Sequence, residues 1–358
     1  MRLARVDGDS PMMAVGTLPM RLAHRLTRLR PDGFVLSLVI VVVTASLLPC
    51  DGTSERILRM AGKAAIALLF FLQGARLSRE AVVNGVTHWR LHSLTAVSTF
   101  VVFPLLGLTM AAMFHTALPA WLWLGVLFAC ALPSTVQSSI ALTSMAEGNV
   151  AGCICSATLS NLAGIVLTPI LFGMMAKLHG AGFNVQGIGQ IVLQLLAPFA
   201  AGHLLQPWIG QWAIRNRSVL SVTDRGSVLL VVYTAFSSAA VTGIWHQVPP
   251  RAMAALSLIV ALLLVSVLAI IITACRIMRL SRSDEVAAVF CGLQKSMVSG
   301  VPIANALFAT ATIGPMLLPL MIYYPLQLVV CAWLARWYAR RNVEPLSRGV
   351  GVAGEAAS

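Results

Sequence analysis

Charge is what this chain has least of. Only 10% of its 358 residues are Asp, Glu, Lys or Arg, whereas ordinary soluble domains carry about 25%. Apolar residues make up 58%, and mean hydropathy is +0.86. A soluble fold keeps much of its surface polar, and too few charges are present to do that here. The deficit excludes soluble enzymes, secreted disulfide scaffolds and disordered tails. It defines an integral membrane protein.

Other absences narrow the class further. Aromatics, at 7%, are too few to build a stacking cage for flat ligands. There is no HExxH, no paired intramembrane Asp and no Gly-rich phosphate loop. Lys295-Ser296 has the residue types of a Ser–Lys pair, but neighbours on a helix diverge by about 100°. No soluble nucleotide-binding domain interrupts the apolar runs. A membrane enzyme and an energy-coupled pump are both disfavoured. The seven cysteines sit mostly inside apolar runs and read as packing residues. Cys153 and Cys155 would point about 200° apart on a helix, so they share no metal.

What the sequence does have is long apolar runs. Helices rise 1.5 Å per residue and the hydrocarbon layer is roughly 30 Å thick. Ten runs qualify: 33–49, 58–75, 93–114, 120–146, 149–174, 188–207, 225–245, 252–275, 286–308 and 313–335. A basic segment, 1–32, precedes them and a tail, 336–358, follows. No small-residue cleavage site follows the first run, so no cleavable leader is expected.

Placing both termini in the cytoplasm puts 19 of the 25 Lys and Arg residues on the inner side, and only Arg56, Arg59, Lys63, Lys177 and Arg251 outside. The net charge of +13 is thus orientation charge for a bacterial inner membrane, not a nucleic-acid surface. Lys295 belongs to neither side. It lies nine residues into the ninth run, roughly 14 Å deep. Every Asp and Glu is expected in a loop, at a helix end or in a tail. His203 is expected to be a packing residue.

Two runs contradict their own helices. The fourth reads Pro133-Ser134-Thr135-Val136-Gln137-Ser138-Ser139 at its middle. The ninth reads Gly292-Leu293-Gln294-Lys295-Ser296-Met297-Val298-Ser299-Gly300-Val301-Pro302. Proline removes a backbone donor, and irregular backbone at this depth survives only where protein or a wet cavity covers it. Pro133, Gly300 and Pro302 are the expected helix breaks. Each break falls in the fourth run of a five-run half, 33–174 and 188–335. An odd number per half inverts the second half relative to the first. Paired broken helices in inverted repeats point to a midplane transport site.

At these residues the chain resembles the bile acid:sodium symporter family, in its SBF-like branch. The matching pieces are Leu132 to Ala146 with Glu147-Gly148-Asn149-Val150, then Ala157-Thr158-Leu159-Ser160-Asn161 and Leu167-Thr168-Pro169. Phe70 to Gly74, Asp224 to Ser227 and Phe290 through Pro302 extend it over most of 33–340. The resemblance implies a ten-helix fold, two crossed broken helices, alternating access and sodium coupling. It also exposes departures. Where sodium-coupled members carry Glu and, four residues on, Gln, this chain has Phe290 and Gln294. The next position, their Asn, is Lys295. A Ser-Asn ligand pair corresponds to Ser138-Ser139, two hydroxyl ligands fall at Cys153 and Ala157, and a Gln falls near Thr99. Sulfur and methyl groups do not replace the hard oxygens sodium prefers.

An ionisable residue inside a membrane is costly and marks function by default. Four readings of Lys295 stand side by side. It takes the missing sodium's place on broken-helix carbonyls; it binds an anionic substrate together with half-helix N-termini; it carries a proton; or it faces a wet crevice without a role. The resulting expectation is an all-α, ten-helix transporter for a small organic anion. Its site comprises Gln137, Ser138, Ser139, Gln294, Lys295 and Ser296, supported by Thr99, Thr158 and Asn161. No cofactor is expected, sodium being contradicted by the departures above, and no nucleic-acid partner. The bilayer is the one sure partner, and nothing assigns an oligomeric state. The alternatives are a membrane regulator without transport activity and a cation-independent or proton-coupled carrier.

Overall fold

The computed structural model describes residues 33–76, 88–179, 188–241, 243 and 249–350. The basic segment 1–32, Arg79 and residues 351–358 of the tail lie outside them. All regular secondary structure among the described residues is helical. In chain order the helices are α1 (Gly33–Leu47), α2 (Gly52–Arg76), α3 (Trp89–Val97), α4 (Phe103–Met113), α5 (Ala120–Ala131), α6 (Gln137–Met145) and α7 (Val150–Leu178). They continue as α8 (Ile188–Leu204), α9 (Gln206–Arg215), α10 (Arg217–Val241), α11 (Pro250–Ile277), α12 (Arg282–Leu293), α13 (Met297–Leu307) and α14 (Thr310–Val350).

Seven described helical stretches are long and apolar enough to cross a bilayer, and three shorter apolar helices, Gly33–Leu47, Ala120–Ala131 and Val192–Leu204, accompany them. Their outward faces explain the composition. Along α11, Leu256 and Leu263 are buried, while Leu258 and Val265 stand 71% and 62% exposed. A helix that is apolar on both faces is at home only in hydrocarbon. The chain is a multi-pass integral membrane protein.

Lipid offers no hydrophobic drive between helices, so close backbone approach does the packing. The tightest case is α2 against α8. A Cβ added at Gly74 would lie 2.0 Å from the Phe199 carbonyl oxygen, and one at Gly202 would lie 1.9 Å from that of Phe71. No other residue fits at either position.

The expectation that acidic residues stay in loops, helix ends or tails fails at Asp224. The helix expected from residue 225 already begins at Arg217, so Asp224 lies within α10, 4% exposed. Arg76, at the C-terminus of α2, reaches it with Nη1 2.6 Å from Oδ2. A buried charge persists only when paired, and this one is.

Both expected interruptions exist. Residues Leu132 to Val136 separate α5 from α6, and Gln294 to Ser296 separate α12 from α13. The second falls earlier than its proline suggested. Gly300 and Pro302 lie inside α13, and the break precedes Met297. Ser296 makes the restart by capping α13 itself, its Oγ accepting from the Ser299 amide at 3.1 Å. Gly300 serves packing: a Cβ there would come within 2.6 Å of Leu132 Cδ1 in the first interruption.

Candidate functional site

A helix that stops inside a membrane leaves its last four carbonyls without partners. The structure shows where all four go at the end of α12, and where the last three of α5 and the following Leu132 carbonyl go. At the end of α12, four hydroxyls from four different elements donate in turn: Ser139 to Phe290 O at 3.0 Å, Ser134 to Cys291 O at 2.6 Å, Ser98 to Gly292 O at 3.3 Å and Tyr323 to Leu293 O at 2.7 Å. The serines that break the first helix therefore cap the second.

The end of α5 is handled differently. The Ala129 carbonyl takes the Leu132 amide at 3.3 Å, and Ala131 takes the Thr168 hydroxyl at 2.8 Å. The natural partner of Cys130 O, the Ser134 amide, donates instead to Ser160 Oγ at 3.0 Å. Cys130 O and Leu132 O are left to Lys295, whose Nζ lies 2.8 and 2.7 Å from them.

The third proton of the ammonium goes to Thr99 O at 3.0 Å. That carbonyl is free for a local reason. Residues Ser98–Val102 form a π turn between α3 and α4, and the Phe103 amide donates five residues back, to Ser98. In that register Thr99 O would be served by residue 104, which is proline and has no N–H. The Phe103 ring completes the enclosure, 4.0 Å from Nζ.

Lys295 itself is 1% exposed and sits in the non-helical break. Its backbone is clamped by Gln327, which accepts from the Lys295 amide at 2.7 Å and donates to its carbonyl at 3.0 Å. A lone lysine at mid-membrane costs about 2.5–3.5 kcal/mol on insertion scales. Three charge-assisted bonds offset that cost, since each contributes about 1.5–3 kcal/mol.

Beside it, Gln294 Oε1 gathers the first interruption's hydroxyls. Ser138 Oγ lies 2.6 Å away and Ser139 Oγ 3.1 Å, with Thr135 Oγ1 also in contact. Asn161 ties the two breaks together from α7: its Nδ2 donates to Ser134 O at 2.7 Å, and its Oδ1 accepts from Ser299 at 2.6 Å. The Ser296 amide donates directly to Pro133 O at 2.8 Å.

A cavity of about 900 Å³ opens beside this junction. Gln137, Ser138, Thr158, Asn161 and Ser296 line it, whereas Ser139, Gln294, Lys295 and Thr99 do not. The latter four are fully buried behind it. Gln137 donates instead toward α10, to Ser221 Oγ at 3.2 Å. The rest of the wall combines apolar rings, Phe34, Phe199 and Trp333, with Arg76, Asp224, Arg225 and Arg336. Arg225 lies over the Phe34 ring at 5.5 Å.

Sequence reasoning missed Gln327, Tyr323, Ser98 and the Arg76–Asp224 pair. Gln327 had a signal, being the one amide deep in the tenth apolar run. Tyr323 and Ser98 carried none, because hydroxyls are common in membrane helices.

The residues do not fit the sodium site that the resemblance implies. At Phe290, where a carboxylate would stand, is a ring packed edge-on against Tyr338. Cys153 and Ala157 are fully buried, and Cys153 Sγ touches Cys291 Sγ at 3.2 Å. The carbonyls of Thr99, Cys130 and Leu132 are already taken by Lys295.

Fold and junction define a membrane transporter with discontinuous helices, and comparison with known proteins agrees. Residues 32–340 match the SBF-like CPA transporter family, and the chain belongs to it. It is 50% identical over 318 residues to protein PA2026 of Pseudomonas aeruginosa, covering 88% of this chain and 95% of that one. It is 48% identical over 311 residues to "Putative symporter YfeH" of Escherichia coli, covering 87% and 94%. Sodium/bile acid cotransporter 7 of Rattus norvegicus is 25% identical over 317 residues, covering 85% and 92%.

Proposed function

We propose that this chain is a secondary transporter moving small amphipathic organic anions by alternating access, with no sodium requirement. In this reading the three short apolar helices and the seven long stretches make ten spans, arranged as two inverted halves, 33–174 and 188–335. Both termini, 1–32 and 336–358, face the cytoplasm of a bacterial inner membrane. The cavity then opens to the cytoplasm, because Arg76, Arg225 and Arg336 on its wall belong to the inner set of basic residues.

One observation carries the reading. The cavity at the junction of the interrupted helices is amphipathic: arginines, apolar rings and the hydroxyls and amides of the breaks all line it, with Arg225 lying over the Phe34 ring. An anion with a hydrophobic body matches those parts: its charge meets guanidinium groups and its skeleton covers the rings. Ser138, Ser296, Thr158, Asn161 and Gln137 meet its polar substituents. Ser139, Gln294, Thr99 and Lys295 support those residues from behind the cavity wall. Relatives named as bile acid cotransporters favour the same class of cargo.

The test uses the purified chain in lipid nanodiscs, with taurocholate and a steroid sulfate as probes and the uncharged parent steroids as controls. Both anions are expected to raise the melting temperature, and Arg225→Gln with Arg336→Gln to abolish the rise. Equal stabilisation by the uncharged steroids would contradict anion recognition.

A further inference from the structure

We infer that Lys295 is a built-in cation: the carbonyls of Thr99, Cys130 and Leu132 form a monovalent-cation site that the Lys295 ammonium fills permanently. It holds the first interrupted helix closed with no ion from solution.

Three observations converge on this. Each of the three carbonyls is freed by a separate backbone event, namely the π turn with Pro104, the diverted Ser134 amide, and the end of α5 before Pro133. A cluster of orphaned carbonyl dipoles at a helix C-terminus is an environment for a cation. The ammonium has three protons, and all three are used, at 3.0, 2.8 and 2.7 Å. No other ligand enters: Lys295 is 1% exposed, lies behind the cavity wall, and is in neither of the ion pairs found among the described residues, Arg59–Glu55 and Arg76–Asp224.

This geometry selects among the readings of Lys295. Substrate binding needs a free N–H facing the cavity, and none remains. A wet crevice needs exposure, which is absent. Among the described residues, no carboxylate or histidine stands in contact with Nζ to exchange a proton. Phe290, Cys153 and Ala157, the positions where sodium's ligands are lost, are filled by a buried ring, a thiol and a methyl group. A chain that carries its own cation has no need of those ligands. The binding claim stands apart from the transport reading; only its consequence, turnover without an alkali cation, rests on it.

The experiment measures melting of the full-length protein in nanodiscs, with sodium, potassium or choline as the sole cation. Wild type is expected to melt at one temperature in all three. Lys295→Ala deletes three methylenes and the ammonium, the equivalent of n-propylammonium. It is expected to melt lower by roughly 5 °C or more, and millimolar n-propylammonium is expected to restore most of the loss. 1-Propanol, without charge, and tetramethylammonium, without N–H, are expected to restore none. Lys295→Met keeps an unbranched chain one atom shorter and removes the ammonium with its three donors, so it serves where the alanine variant does not accumulate. Wild type stabilised by sodium over choline would overturn the proposal. So would a Met variant as stable as wild type, or rescue of the Ala variant by propanol as well as by the ammonium. None of these arms needs a transported substrate, so failure to find one leaves them standing.

Discussion

The two interrupted helices solve the same problem with different chemistry. Both stop inside the membrane and leave four carbonyls to satisfy. The end of α12 is capped by neutral hydroxyls alone, from Ser139, Ser134, Ser98 and Tyr323. The end of α5 receives one hydroxyl, from Thr168, and an ammonium that serves two of its carbonyls and one from the π turn. Hydroxyl caps spread the load, so each bond is worth about 1 kcal/mol and replaceable. The ammonium concentrates it in one residue. One side chain thus carries most of one arm of the junction, and four share the other.

That contrast yields an order of effects. Lys295→Met removes three charge-assisted bonds at once and is expected to cost about 3 kcal/mol or more, read as melting temperature. Arg76→Gln is next, since it leaves Asp224 buried without its partner at a cost of about 3 kcal/mol. Asp224→Asn added to it is expected to recover much of that loss, and absence of recovery would mean the pair is not coupled. Gln327→Leu unclamps the Lys295 backbone and is expected to cost about 2 kcal/mol, with anion affinity unchanged because Gln327 lies outside the cavity. Tyr323→Phe and Thr168→Val each free one carbonyl and are expected to cost about 1 kcal/mol. If Tyr323→Phe proved as damaging as Lys295→Met, the contrast between spread and concentrated capping would fail. At the small end, Arg225→Gln is expected to leave melting unchanged while weakening taurocholate binding several-fold.

How much of this was legible in sequence differs between the two arms. The breaks were legible because Pro133 and the run of hydroxyls and amides contradict an apolar helix. Lys295 was legible because its charge had no side to belong to. Its partners were not, since they are backbone carbonyls freed by events distant in sequence, and a carbonyl has no letter in the sequence. Thr99 entered the expected site through its side chain. It contributes its carbonyl instead, and its hydroxyl has no hydrogen-bond partner. Gly300 and Pro302 looked like breakers, but both lie inside α13, where Pro302 removes one intrahelical bond without ending the helix, and the N-cap Ser296 sets the restart. Asp224 was misplaced because hydropathy marks where a helix turns apolar, not where its hydrogen bonds begin.

The most direct test of the account is uptake of radiolabelled taurocholate into proteoliposomes, with sodium or choline as the only external cation. The account predicts equal initial rates in the two buffers for wild type and loss of uptake in Lys295→Met. Uptake that runs in sodium and collapses in choline would contradict it, because the cation holding the interrupted helices would then have to come from solution.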